Sequence, residues 1–266
     1  MDKKSDIFPI IVLYCCKLSE SKTYNSLLKN KGIKAIMVYD NSPQNYQQEM
    51  MPDNVIYIRD YSNRGISYAY NTAAQYAYEH KYDRLLVLDQ DTTFPENALD
   101  AYFNADRKTT LWAPTIITKQ GKRPLSPADI RKMRIKAVKL PVGKHSLYHY
   151  FPINSGMCIS LKAYMEVGGY DENIHLDFSD FQFLRKLRQR NEEFLLLPTL
   201  AYQDFSNEKT DIKNTIHRYS IYIKDARKCK INGTKERLQH KYSVFFHTLS
   251  LTWRFRSYAF IKLYLS

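Results

Sequence analysis

Asp89 and Asp91 lie one residue apart, directly after the apolar run from Leu85 to Leu88. Four consecutive apolar residues predict a short strand buried on both faces, and in an open α/β sheet whatever follows a strand's carboxyl end is delivered into the ligand-binding crevice. Two carboxylates displayed there repel each other unless positive charge sits between them. A divalent cation holding phosphate oxygens is the usual solution for hard oxygen ligands. The same spacing also suits a plain turn in which Asp91 or Thr92 caps a helix opened by Pro95.

Further residues share this placement. Asp40 follows the apolar run from Ile36 to Tyr39 and can accept from a base N–H or a ribose hydroxyl, or can make an Asx-turn before Pro43. Asn63-Arg64-Gly65 forms a loop in which Arg64 is the candidate phosphate partner, or an ordinary helix-opening turn. Asp177 and Asp180 lie in His175-Leu-Asp-Phe-Ser-Asp-Phe-Gln-Phe-Leu-Arg185. There Ser179 is a candidate cap for a helix that buries Phe183, Leu184 and Leu187. Asp180 then sits in the first turn, where the dipole lowers its pKa, and an ionised carboxylate at a crevice can be a general base. Capping chemistry alone explains it equally well. The chain has no G-x-x-x-x-G-K-[ST] and no G-x-G-x-x-G, which argues against P-loop and Rossmann sites.

The elements that must position these residues alternate. The pattern predicts strands at 8–14, 36–39, 55–58, 85–88, 111–117, 157–161 and 194–197. It predicts helices at 19–31, 67–80 and 95–107, a short helix ending at Gly168-Gly169, and the one after Ser179. Short connections make a parallel sheet with right-handed crossovers the economical arrangement. Residues 118–150 carry nine Lys or Arg and one acid, Asp129, with little periodicity. They read as a long loop with a short basic helix near 128–137. After that, 211–228 reads as a helix, Asn232-Gly233 breaks it, and a long basic, aromatic-rich pattern follows. The division expected is a domain over 1–208 and a helical C-terminal extension over 209–266.

The chain has 266 residues, 44% of them hydrophobic, enough for a sizeable core without staples. Cys15, Cys16, Cys158 and Cys229 lack C-x-x-C spacing, so the thiols are expected to be reduced, the compartment cytoplasmic and a structural zinc absent. Forty basic against 27 acidic side chains give +13, which draws phosphate in some form. Lys3-Lys4 and the run to Cys16 mimic a signal peptide, but Pro9 and Lys17 interrupt it and no small-residue cleavage site follows. No apolar run reaches the roughly 20 residues that span a bilayer, so the protein is expected to be soluble or peripheral.

Taken in order, these stretches resemble the family 2 glycosyltransferases of the GT-A fold, closest to the rhamnosyltransferase-like branch that builds bacterial surface polysaccharides. The matching pieces are the first strand, Asp40-Asn41-Ser42, Asn63-Arg64-Gly65 with Asn71, and Leu86-Val-Leu-Asp-Gln-Asp91. Asn154-Ser155-Gly156, Gly168-Gly169-Tyr170-Asp171-Glu172 and Leu176-Asp-Phe-Ser-Asp180 with Arg185 complete the set. The resemblance implies a mostly parallel central sheet flanked by helices and an inverting transfer from a dTDP- or UDP-linked sugar to a saccharide or lipid-linked acceptor. It implies that Tyr14, Asp40, Asn63, Arg64, Asp89 and Asn154 bind the nucleotide sugar. Asp91 with Asp89 would hold Mg²⁺ or Mn²⁺. Asp180 matches the base, with Asp177 second.

Two departures stand out. Where the family often has a metal-binding histidine, this chain has Tyr202-Gln203-Asp204, with Asp204 a possible substitute ligand. The Gln-x-x-Arg-Trp signature of processive synthases is absent, which favours a single addition per acceptor. A nucleotidyltransferase would need a glycine-rich, lysine-bearing loop near the N-terminus that is missing. A nucleic-acid-binding module leaves the strand-end acids unexplained, because they repel phosphate. From Thr234 onward, Leu238, Tyr242, Phe245, Phe246, Leu249 and Trp253 recur at helical spacing amid six basic residues and one acid, Glu236. Such a helix can lie on an anionic membrane or dock on the core with a solvated basic face.

Overall fold

Apolar runs too short to make helices form the middle of a sheet that is covered on both faces. In a computed structural model describing residues 6–27, 32–119, 123–203 and 211–266, thirteen strands occur among the described residues. These are β1 (Ile7–Leu13), β2 (Ile36–Asp40), β3 (Val55–Arg59), β4 (Arg84–Leu88), β5 (Thr92–Thr93), β6 (Leu111–Thr118) and β7 (Pro124–Ser126). They continue with β8 (Ala128–Asp129), β9 (Lys136–Ala137), β10 (Gly143–Ser146), β11 (Tyr150–Phe151), β12 (Met157–Ser160) and β13 (Glu193–Gln203). The helices are α1 (Lys22–Leu27), α2 (Ile66–Glu79), α3 (Ala98–Phe103), α4 (Leu161–Glu166), α5 (Ser179–Leu187), α6 (Ile212–Lys228), α7 (Thr234–Phe255) and α8 (Ala259–Leu265).

The main sheet runs β10-β13-β6-β12-β4-β1-β2-β3. Strands β4, β1, β2 and β3 are mutually parallel, as are β6 and β13. The expected mostly parallel sheet flanked by helices is observed, with two differences: the edge strand β10 runs antiparallel to β13, and β12 is reversed in the middle of the sheet. β12 runs antiparallel to both of its neighbours, β4 and β6. Alternate residues of the strands feed two cores. Phe8, Ile10, Leu85 and Val87 face Ala69, Ala73, Ala74 and Ala77 of α2 and the Phe183, Leu184 and Leu187 stripe of α5. Ile7, Ile11, Leu86 and Leu88 face Leu99 and Tyr102 of α3. The alanines let α2 lie close to the strands.

Several local expectations are corrected. Residues 128–137 hold no helix: β8 pairs with both β9 and β11 in a separate three-stranded sheet. The helix expected over 95–107 shrinks to α3. Thr92 and Thr93 are instead drawn into β5, antiparallel to β13, and Asn97 takes a left-handed conformation before the helix starts. The helix expected over 19–31 is a 3₁₀ turn at Leu18–Glu20 followed by α1, and 28–31 lies outside the described residues. Ser179 is the first residue of α5 rather than its cap; Phe178, left-handed at φ 65°, precedes it. All four cysteines are free.

The C-terminal helices pack around Tyr219, Ile223, Val244 and Phe260. They are also pinned to the rest of the chain. Glu236 on α7 accepts from Arg185 at 3.0 Å and from Arg188, and the Gln239 amide donates to the Ile130 carbonyl at 2.8 Å and to that of Lys132.

Candidate active site

β4 is parallel to β1 and antiparallel to β12, so the chain leaving Leu88 emerges beside the ends of both. Gln90 is turned back onto the first strand's exit, where its side-chain oxygen accepts the Tyr14 N–H at 2.8 Å. Its carbonyl accepts the Ser21 hydroxyl at 2.9 Å, and Thr92 and Thr23 exchange hydrogen bonds of 3.0 and 2.9 Å. With Gln90 fixed this way, Asp89 and Asp91 are drawn together on the other side. The Gln203 amide of β13 confirms their closeness, donating to Asp91 at 3.1 Å and to Asp89 at 3.4 Å. The buried Ser155 hydroxyl donates to Asp89 as well. Burial first, and then the Asp91 charge, push the Asp89 carboxyl up to about 6, against the pull of Ser155 and Gln203.

Asp180 is the second residue of α5, and the Phe181 N–H donates to its carboxylate at 2.8 Å. Its pKa corrects the sequence expectation. A first-turn position should lower it, yet burial pushes it up to about 7; the Phe181 hydrogen bond opposes this, while Asp89 and Asp177 add to it. Loss of hydration and two like charges outweigh the helix end.

The segment before Asp180 is held from both sides. Gly65, at φ 94°, lets α2 approach so closely that an added Cβ would stand 2.3 Å from the His175 carbonyl. That carbonyl accepts the Ile66 N–H at 2.9 Å, and the Ser67 hydroxyl donates to Ile174 at 2.6 Å. From α6, the buried Asp225 carboxylate accepts the backbone N–H groups of His175, Leu176 and Asp177 at 2.9, 2.8 and 2.9 Å. Arg218 donates to the Asp177 carboxylate through two nitrogens. Asn154 donates to the Ser179 hydroxyl at 3.1 Å and accepts from Tyr170 at 2.7 Å. Asn154 and Ser155 therefore bridge the support of Asp180 to Asp89.

The remaining sequence candidates are placed as follows. Tyr14 is half exposed beside Gln90. Asp40 is fully buried and engaged by Arg59, by the Tyr57 hydroxyl at 2.9 Å and by the Ser42 N–H at 2.8 Å, which is the Asx-turn geometry. Asn63 is left-handed at φ 46°. Arg64 folds back on Asp60 at 3.0 Å and stacks on Tyr68 at 3.6 Å. Asn71 secures the Gly169-Tyr170 turn through both of its amide atoms. Asp89, Asp91 and Asp180 thus form one charge cluster, whereas Asp40 and Asp177 are occupied by arginines. Asp204 lies outside the described residues.

Sequence reasoning did not single out Ser155, Arg218, Asp225 or Asp60. Of these, Asp60 carried a signal, because it directly follows β3 at the same end of the sheet where Asp40 closes β2. Burial works against its ionisation, but hydrogen bonds from Arg64, Tyr39 and Ser62 lower its pKa.

Among the described residues no three His, Cys, Asp or Glu side chains gather to cage a metal. The donor set that is present, two mutually repelling carboxylates beside an amide, fits a hard cation whose other ligands are diphosphate oxygens and water. Asp89 and Asp91 would hold it.

Three solved structures show the same architecture. GalNAc-T7 with UDP, GalNAc and Mn²⁺ aligns at TM-score 0.58 and 15% identity, covering 91% of this chain and 55% of that one. S. aureus TarS 1-349 aligns at 0.51 and 14%, covering 94% and 72%. The mannosyltransferase PcManGT from Pyrobaculum calidifontis, in complex with GDP-Man and Mn²⁺, aligns at 0.51 and 10%, covering 98% and 74%. The chain spans about half the length of the first. None of the curated proteins matches it. The common fold is GT-A, and the model for "Glycosyl transferase family 2" matches residues 10–166, more than half of the chain. The chain therefore belongs to glycosyl transferase family 2.

Proposed function

We propose that the protein is an inverting glycosyltransferase that moves one sugar from a nucleoside-diphosphate donor to a hydroxyl of a saccharide or lipid-linked acceptor. The observation that carries this reading is the cluster of Asp180, raised to about 7, with the Asp89 and Asp91 pair. A carboxylate with a pKa near neutrality suits general-base work, because it is both available and basic enough. Asp180 takes the acceptor hydroxyl proton as that oxygen bonds to the anomeric carbon. The bond to the diphosphate oxygen breaks on the opposite face, so the configuration inverts. Asp177, already paired with Arg218, orients the acceptor segment. A Mg²⁺ or Mn²⁺ ion held by Asp89 and Asp91 would neutralise charge on the diphosphate.

Tyr14, Asp40, Asn63, Arg64 and Asn154 belong to the nucleotide-sugar side. Asp40 acts there through the shape of the β2 turn, since its carboxylate is occupied. The transferred sugar is a hexose or rhamnose, the pathway surface polysaccharide synthesis and the compartment the cytoplasm. Donors to test first are dTDP-rhamnose and UDP-hexoses, joined by GDP-mannose because one similar structure holds it.

The test is thermal stabilisation and donor hydrolysis across a panel of nucleoside-diphosphate sugars, with and without Mn²⁺, on the wild type and on Asp91→Ala. Stabilisation by one nucleotide that needs metal and vanishes in Asp91→Ala is the expected result. No response to any nucleotide would overturn the proposal.

A further inference from the structure

α7 divides lengthwise. One side carries Val244 and Thr248 into the C-terminal core. The other presents Leu238, Tyr242, Phe245, Phe246, Leu249 and Trp253, spaced at 4, 7, 8, 11 and 15 residues, which places them on a single arc. Five of the six are exposed, Trp253 at 87%. An aromatic and aliphatic arc of this length costs free energy in water, and it stays largely exposed although Tyr264 lies against Phe245 and Arg134 and Ile135 share a cavity with Tyr242, Phe246 and Leu249.

The charge around it has one sign. From Arg237 to Ser266 the chain has no Asp or Glu and five Lys or Arg. Beside the arc, α6, α7 and α8 enclose a cavity of about 340 Å³. Its apolar wall is Ile223, Ile231 and Val244, and its cations are Arg227, Arg237 and Lys241. Arg227 is held by the carbonyls of Leu263 and Tyr264 at 3.1 and 3.0 Å. Arg237 and Lys241, one turn apart on α7, have no ion-pair partner among the described residues. No described helix is long and apolar enough to cross a membrane.

The geometry points to a docking face for an anionic phospholipid surface, in which the α7 arc enters the interface and the cavity cations take a lipid phosphate. Charge complementarity selects this occupant. A neutral apolar partner leaves the cavity cations Arg237 and Lys241 unmatched, whereas a headgroup layer matches both the arc and these cations beside it. Trp and Tyr, amphipathic at their tips, suit the depth between headgroups and chains. Donor binding and sugar transfer play no part in the inference, so its failure and that of the glycosyltransferase reading are separately visible.

The experiment uses the full chain with vesicles of phosphatidylcholine alone or of phosphatidylcholine with phosphatidylglycerol. The protein has two tryptophans, Trp112 buried at 1% and Trp253 exposed. Any vesicle-induced blue shift therefore reports on Trp253. Expected are co-sedimentation and a blue shift with the anionic vesicles only, both weakened by salt. Arg237→Glu and Lys241→Glu should each weaken binding at least about fivefold, the factor carried by one cation near such a surface. Trp253→Ser should abolish the shift while leaving the melting midpoint unchanged. Three results would overturn the proposal. One is no binding to anionic vesicles at low salt. Another is stabilisation by inorganic phosphate, lost in Arg237→Glu, without vesicle binding. The third is a concentration-dependent dimer that blue-shifts Trp253 with no lipid present.

Discussion

Arg218 of α6 grips Asp177 through two guanidinium nitrogens, so a C-terminal helix holds the loop that leads to Asp180. The buried Asp225, about two turns further along α6, adds three backbone hydrogen bonds to the same loop. Removing either does different damage. Asp225→Ala leaves three N–H groups without acceptors and should cost about 2–4 kcal/mol, read as a lowered urea midpoint. Arg218→Ala, at a half-exposed pair, should cost at most about 1 kcal/mol. If the loop presents the base, its effect should appear in kcat more than in donor KM.

Asp180 sets a pH signature in the metal-free protein. Its carboxyl is raised from the ordinary value near 3.8 to about 7, so between those values the folded state keeps a proton that the unfolded chain has released. Stability from this group is therefore full below about pH 4 and declines as pH rises to about 7. Asp180→Asn should melt higher than the wild type at pH 7.5 in chelator by at least about 2–4 °C, the shift that ~1 kcal/mol makes in a chain of this size. The gain should vanish near pH 4, while transfer falls about 10²–10⁴-fold.

Gln203 stands over both acids of the β4 exit. Its amide nitrogen donates to them, which stabilises the carboxylates but adds no metal ligand in that orientation. Gln203→His should tighten Mn²⁺ binding about tenfold or more, measured by titration calorimetry without nucleotide, because a neutral imidazole adds a donor to two carboxylates. Gln203→Leu should raise the Asp89 pKa further, since the lost amide is one of the groups that hold it down.

Two glycines separate backbone strain from close approach. Gly168 has φ 70° with open space around its missing Cβ, so Gly168→Ala should cost only about 1–2 kcal/mol. Gly65 combines φ 94° with the His175 carbonyl 2.3 Å from an added Cβ. Gly65→Ala should therefore cost clearly more, compared side by side in chemical denaturation, and should also lower activity by displacing the Asp177 and Asp180 segment.

The strands before Asp89 were legible because buried parallel strands write themselves as apolar runs, and α5 and α7 because their stripes recur at helical spacing. The direction of β12 was not, since four apolar residues read the same either way. Nor was the region from 124 to 151, where pairs of residues join strands that only the fold brings near. Asp40 looked like a crevice ligand because Arg59, its partner, lies on the neighbouring strand. The rise of the Asp180 pKa comes first from burial and then from Asp89, 91 positions away, with Asp177 adding to it; burial and the Asp89 charge depend on the fold and lie beyond any local rule. Gln203 was noticed as a missing histidine, while its contact with both acids depended on β13 reaching the β4 exit.

The place of β12 also bears on synthesis. The chain emerges from the ribosome N-terminus first, and β1 to β4 can pair as they appear. β4 nevertheless keeps an open edge, with Asp89 and Asp91 at its tip, until residues 157–160 arrive from about 70 positions downstream. The same four residues supply β6 with one of its partners, the other long one being β13. Until they insert, the facing edges of β4 and β6 stay unpaired, a state exposed to aggregation.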